Sequence, residues 1–221
     1  MTRFTVRDHE IVFDDGGMNL LSSIALRELR EAIDAVRGNV IVFRSGRPSV
    51  FAAGADMAEM ERFTPFQAWE FARLGQSVFD AIERLPAITV AVIDGDCYGG
   101  ALDLILSFDL RYATARSRFS HPGAKLGIVT GFGGTSRWRK VLTRPAAHQL
   151  FLANRVLSTE EAKAAGLIDG IGEPELERLR ALDPAMTQVV KQLTIHAGRL
   201  SAAELKLMAE RLGSLYCTLI P

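Results

Sequence analysis

The chain has 221 residues, enough for one domain with a full core, and its 48% apolar and 24% charged residues are typical of globular proteins. Its 26 lysines and arginines balance 26 aspartates and glutamates, so no net charge attracts nucleic acid or an anionic membrane. Since no apolar stretch approaches the roughly 20 residues of a membrane span and the N-terminus lacks an apolar signal core, we expect a soluble cytoplasmic protein.

Short apolar strands alternate with helices in the first half of the chain. Residues 10–13 predict a strand, and Ser22 or Ser23 is expected to cap a helix that stops at Gly38. The run of apolar, mostly β-branched residues at 40–43 is typical of a strand buried on both faces.

Two segments then repeat the order strand, glycine turn and helix. Residues 52–56 are small and lead into a helix start at Met57, while a strand at 88–93 leads into the turn at 94–100. Between them, a capping box at 64–67 with proline at the first helical position predicts a helix to about residue 85. Strands interleaved with helices indicate an α/β architecture.

The second half of the chain predicts mainly helices. A glycine-rich loop at 127–134 precedes a basic helix, capping boxes occur at 158–161 and 201–204, and the chain after about Pro145 reads as mostly helical. The basic helix predicts a solvated face or a subunit contact, not a nucleic-acid site, because the net charge is zero. Its residues are Arg137, Trp138, Arg139, Lys140 and Arg144.

The two glycine turns are candidate sites of chemistry. At residues 54–56 and at residues 99–101, small side chains let another group approach backbone amides at the start of a helix. Two such amides aimed at one point would form an oxyanion hole, while the alternative is a pair of tight turns without a ligand. The scattered histidines and the two distant cysteines, Cys97 and Cys217, predict neither a metal site nor a disulfide framework.

Asp103 is the candidate acid or base. It is the one acid in an otherwise apolar helix, and buried carboxylates are costly unless they are paired or used. It follows Gly100 by three residues, so its side chain shares a helix face with that turn. The alternative is a solvent-facing or ion-paired acid.

Together these motifs resemble the crotonase superfamily, the enoyl-CoA hydratase/isomerase group. The similarity lies in FAAGADMAEM at 51–60, GGALDL at 99–104, FDLR at 108–111 and GGT at 133–135, and it extends over about residues 10–172. It implies a spiral of strand-strand-helix units over residues 1–172, followed by a helical region at 173–221 that is shorter than the family's. Homotrimers or dimers of trimers are also implied.

The resemblance further implies an acyl-CoA thioester as substrate, with no separate cofactor. The thioester carbonyl would lie between the amides of Ala55 and Gly100, and the chemistry would be that of a lyase or isomerase passing through a thioester enolate. The residues implied along the CoA channel are Ala53, Gly54, Asp56 and Met57.

The sequence departs from the family at both carboxylate positions used for hydration. Asp103 stands where the first glutamate is expected, and Gly123 stands where the second is expected. Three hypotheses follow. In the first, Asp103 acts alone as the base of an enolate-forming reaction, with His121 or a bound anion near Gly123 assisting. In the second, bicarbonate fills the glycine's space, as in dihydroxynaphthoyl-CoA synthases, whose catalytic aspartate falls at Thr130. In the third, the protein binds acyl-CoA or a partner subunit without catalysis.

Overall fold

The computed structural model describes residues 2–196 together with positions 206 and 210. The strands in this part of the chain are β1 (Phe4–Arg7), β2 (Glu10–Phe13), β3 (Leu20–Leu21), β4 (Val40–Ser45), β5 (Val50–Ala52), β6 (Gly54–Ala55), β7 (Ile88–Ile93), β8 (Asp96–Tyr98), β9 (Leu110–Ala113), β10 (Arg118–Ser120), β11 (Leu157–Ser158) and β12 (Gly170–Ile171). The helices are α1 (Ser23–Ala35), α2 (Met57–Met60), α3 (Pro65–Glu83), α4 (Gly100–Ile105), α5 (Gly134–Arg137), α6 (Arg144–Phe151), α7 (Thr159–Ala164), α8 (Leu176–Arg180) and α9 (Pro184–His196).

The strands form two stacked sheets and a short ribbon. The larger sheet has the order β1-β2-β4-β7-β9-β12, and the smaller has the order β11-β10-β8-β5. Both are parallel except where β1 pairs with β2 and where β10 pairs with β11. The chain therefore places β4, β7 and β9 in the larger sheet and β5, β8 and β10 in the smaller, with helices between turns. This confirms the predicted spiral of strand-strand-helix units.

The larger sheet is buried on both faces. On the inner face the Phe43 ring lies 5.7 Å from the ring of Phe51 and 5.6 Å from that of Phe108. On the outer face valines such as Val42 and Val90 pack beneath α8. Every residue of the predicted strand at 40–43 is buried, as its continuous apolar run indicated.

The helix starts follow the predicted caps. Ser22 caps α1, and the capping boxes at 64–67 and 158–161 are both formed. The described chain after Pro145 is mostly helical, as predicted, and it also contains β11 and β12, strands of two residues that pair only at sheet edges. Such short strands leave almost no periodicity in the sequence.

The C-terminal region is described only in part. The predicted capping box at 201–204 and the tail to Pro221 lie outside the described residues. The division at residue 172 stays a prediction. Within the described part, no helix is both long and apolar enough to cross a bilayer.

Asn19 provides the first testable prediction. It is fully buried, and its side-chain amide contacts the carbonyl oxygens of Phe13 and Phe51 and the hydroxyl of Ser45. Asn19→Ala should lower the free energy of unfolding by about 2–4 kcal/mol in urea titrations, because buried acceptors lose their donor.

Asn19 also has a positive φ of 54°, a strain that Asn19→Gly relieves and Asn19→Ala keeps. Both variants should therefore be destabilised, the glycine variant by less. Unchanged stability of both would contradict the role given to this amide.

Candidate active site

The structure brings the two predicted glycine turns together. A Cβ added at Gly54 would lie 2.7 Å from the Tyr98 carbonyl oxygen and 3.1 Å from the amide nitrogen of Gly100. A Cβ added at Gly100 would lie 3.3 Å from the amide nitrogen of Ala55. The two amides are therefore neighbours, which the sequence alone could not establish.

Local structure holds both turns in place. Ala55 ends β6, which pairs with β3, and the next residue, Asp56, caps α2 by accepting the Glu59 amide at 3.1 Å. Gly99 has φ 55° and donates its amide to the Ser120 carbonyl at 2.9 Å. Gly100 is the first residue of α4, where amides have no acceptor within the helix.

A cavity of about 330 Å³ is lined by both Ala55 and Gly100. His121 is the only ionisable side chain among its described lining residues. The lining consists of Ala53, Ala55, Met57, Met60, Ala68, Phe71, Ala72, Gly99, Gly100, His121, Pro122, Gly123, Leu126, Ile128, Val129, Thr130, Gly131 and Phe132. Such an apolar pocket with few polar groups is typical of a small-molecule site.

The predicted site residues divide into two groups. Ala53, Ala55, Met57, Gly100, His121 and Gly123 line the cavity. Gly54, Asp56 and Asp103 do not line it. Gly54 and Asp56 instead shape the first turn.

Asp103 is fully buried behind the cavity wall. Its Oδ2 accepts the Thr130 hydroxyl, and its Oδ1 lies 3.5 Å from Nε2 of His121. Neither Oδ1 nor this Nε2 has a hydrogen-bond partner. Gly134 makes room for the carboxylate, since a Cβ there would lie 1.8 Å from Oδ1. Asp103 thus reaches the cavity through His121 and Thr130, not directly.

The imidazole of His121 takes up space beside Gly123. A Cβ added at Gly123 would lie 3.0 Å from Cε1 and 3.2 Å from Nδ1 of His121, and 2.8 Å from the Ile128 carbonyl oxygen. The ring also packs on Phe151, with centroids 4.9 Å apart. Gly123 is therefore the residue that lets the imidazole and the carbonyl approach closely.

Sequence reasoning missed two features here. Thr130, considered only as the place of another family's aspartate, holds the Asp103 carboxylate. Arg137, predicted on a solvated or subunit-contact face, is buried and pairs with Asp80 and Glu83 of α3. Both contacts join residues at least 27 positions apart, beyond any local pattern.

Cys97 lies beneath the site as a neutral thiol. Burial raises the pKa of this thiol well above its usual range, and the nearby Asp103 carboxylate raises it further. A thiol is a poor nucleophile, so covalent catalysis by Cys97 is not favoured. Among the described residues no group of three His, Cys, Asp or Glu could hold a metal ion.

Comparison with known proteins shows the family of the chain. The Enoyl-CoA hydratase/isomerase family model matches residues 9–210. Over 165 residues the chain is 36% identical to mouse mitochondrial methylglutaconyl-CoA hydratase, covering 73% of this chain and 52% of that protein. It is 36% identical over 163 residues to crotonyl-CoA hydratase of Syntrophomonas wolfei, covering 72% and 62%.

Solved structures share the fold. An enoyl-CoA hydratase from Thermoplasma volcanium superposes with a TM-score of 0.84 at 24% identity, covering 100% of this chain and 94% of the other. Pseudomonas aeruginosa DspI gives 0.85 at 23% identity, covering 98% and 96%. In sequence, the matches to the mouse and Syntrophomonas wolfei hydratases span between half and two thirds of each relative's length.

The contact at Gly54 generates a prediction with a matched control. Gly54 and Gly16 both have positive φ, 102° and 79°, but a Cβ on Gly16 has nothing within 4 Å. Gly54→Ala should lower the free energy of unfolding in urea titrations by more than Gly16→Ala does, because only the methyl added at Gly54 meets backbone atoms. Gly16→Ala places its methyl in open space and reports the cost of the positive φ alone. Equal destabilisation of both variants would show that the approach of the two turns is not tight.

Proposed function

We propose that this chain, which belongs to the enoyl-CoA hydratase/isomerase family, is an acyl-CoA enzyme that stabilises a thioester enolate. The observation that supports the proposal is that the amides of Ala55 and Gly100 are neighbours beside a cavity whose described lining has no lysine, arginine, aspartate or glutamate. Both amides donate to the thioester oxygen as negative charge develops on it. One such donor is commonly worth about 2.7–4 kcal/mol of barrier.

Proton transfer is assigned to His121, with Asp103 behind it. The ring of His121 lines the cavity beside Gly123, while Asp103 Oδ1 lies 3.5 Å from its Nε2. In this mechanism the carboxylate orients the ring, and the ring moves a proton to or from the substrate. The imidazole thus takes over the work of the glutamate missing at position 123. Asp103 acting directly on substrate is less favoured, because it does not line the cavity.

For hydration, a water hydroxyl adds to the β-carbon of an enoyl thioester and the α-carbon of the resulting enolate takes a proton. For isomerisation, a proton leaves one carbon of the acyl chain and another is delivered to a second carbon through the same enolate. Both reactions need the two amides, and neither requires a separate cofactor.

The remaining predicted contacts belong to this proposal. Ala53 and Met57 lie at the cavity and would contact the CoA portion, while Gly54 and Asp56 shape the turn beside it. A homotrimer or dimer of trimers remains proposed from the family resemblance. The bicarbonate hypothesis is not favoured, because the His121 ring fills the space next to Gly123.

A non-catalytic acyl-CoA-binding or subunit-interaction protein is the second candidate. The observation that favours it is the absence of a carboxylate from the described cavity lining. It differs from the first candidate in one measurable respect, since it predicts binding without turnover.

The test follows deuterium from heavy water into saturated and trans-2-enoyl-CoA thioesters by mass spectrometry. Wild type should incorporate deuterium α to the thioester or add water. Asp103→Asn and His121→Ala should each lower the rate by about 10²–10⁴-fold, typical of losing an acid or base, with acyl-CoA affinity largely kept.

His148→Ala is the control, because His148 is exposed on α6, and it should behave as wild type. Full turnover by the Asp103 and His121 variants would contradict the assigned proton transfer. Binding without turnover by wild type would favour the second candidate.

A further inference from the structure

We propose that Phe132 closes the acyl end of the cavity and restricts the protein to short, uncharged acyl groups. This deepens the proposed function, on which it rests, by naming the substrate class. Three features of the molecule support it: the position of the Phe132 ring, the residues that pack around that ring, and the lack of lysine, arginine, aspartate and glutamate in the described cavity lining.

The Phe132 ring stands beside the proposed carbonyl site. It lines the cavity and is 4% exposed. Its Cδ2 and Cε2 atoms would both lie 3.0 Å from a Cβ on Gly100, the residue whose amide is proposed to hold the thioester oxygen. An acyl chain extending past Gly100 on this side meets the ring within van der Waals distance.

The ring has no free space to move into. Gly75 of α3 faces it so closely that a Cβ there would lie 2.1 Å from the ring Cδ1. Phe71 and Phe79 pack edge-on, with centroids 5.0 Å and 5.6 Å from that of Phe132. Since packed interiors resist such displacements, a long substrate cannot easily push the ring aside.

The backbone carrying the ring is tied to α3. Gln76 Nε2 donates to the Gly131 carbonyl at 2.7 Å, and Arg137 Nη1 donates to the Phe132 carbonyl at 2.7 Å. Arg137 is itself buried and paired with Asp80 and Glu83. Shifting the backbone at Phe132 would therefore break two hydrogen bonds, one of them from the buried Arg137 guanidinium.

The cavity wall also disfavours a charged acyl group. Among the described lining residues none is lysine, arginine, aspartate or glutamate. A carboxylate at the end of an acyl chain would lose hydration without gaining a lysine or arginine side chain. A neutral acyl chain has no such cost.

The test measures binding of butyryl-, octanoyl- and lauroyl-CoA and turnover of the matching trans-2-enoyl thioesters. Wild type should favour the shortest chain by about tenfold or more over the longest, because even one misplaced methylene can cost this much in a closed pocket. Glutaconyl-CoA, which adds a carboxylate, should bind about tenfold or more weaker than crotonyl-CoA.

Phe132→Ala should remove the preference for short chains by opening the space between Gly75 and Gly100. Phe132→Leu loses less volume and should shift the preference part of the way, which guards against poor folding of the alanine variant; thermal unfolding monitors both. Phe66→Ala is the control, since Phe66 lies 65% exposed on α3, and its chain-length profile should match wild type.

The outcomes separate the two proposals. Equal affinity of wild type for all chain lengths, or an unchanged profile in both folded Phe132 variants, would overturn the role of Phe132 while leaving the acyl-CoA function intact. Failure of wild type to bind any of these thioesters would overturn both.

Discussion

The site depends on one backbone contact, the approach of Gly54 to Gly100. These residues end one spiral turn and begin the helix of the next, and a single methyl group on Gly54 would lie 2.7 Å from a carbonyl oxygen. Only glycine, which has no Cβ, can both approach its neighbour this closely and adopt a φ of 102° without strain. The spiral fold supplies the contact because β5 and β8 are neighbours in the smaller sheet, so the turns that follow them meet.

The second constraint is a buried carboxylate placed under that contact. An isolated charge in the core is expensive, and Asp103 has one hydroxyl donor from Thr130 and one imidazole nitrogen 3.5 Å away. The two atoms that lack hydrogen-bond partners are Oδ1 of Asp103 and Nε2 of His121, which lie next to each other. The His121 ring also lines the cavity. A purely structural acid would be expected to have its partners satisfied, whereas proton transfer requires a site where a proton can be gained or lost.

Much of this was accessible from sequence, for physical reasons. The caps at Ser22, Thr64 and Ser158 act within four residues, so their patterns predict helix starts directly. Strands such as 40–43 and 88–93 were evident because burial on both faces demands continuous apolar residues. The sequence also places the glycine turns and the acid of α4 close together in the chain, and in the structure the turns lie at the cavity with Asp103 behind it.

What the sequence could not provide were contacts between distant segments. The meeting of the two turns, the Thr130 hydroxyl on Asp103 and the burial of Arg137 all depend on the tertiary fold. Very short strands such as β8 were hidden in turn-like sequence, because three residues carry no measurable period. The sequence offered His121 only as a residue that assists Asp103, and the structure places its ring beside Gly123 and on the cavity wall.

The most direct test of the central claim is the carbonyl stretching frequency of a bound enoyl-CoA labelled with carbon-13 at the thioester carbon, measured by difference infrared spectroscopy. Two amides donating to the oxygen weaken the carbonyl bond. The account predicts that the band moves to lower frequency on binding than in water. A bound ligand whose carbonyl band stays at its frequency in water, or moves higher, would show that the amides of Ala55 and Gly100 do not form an oxyanion hole.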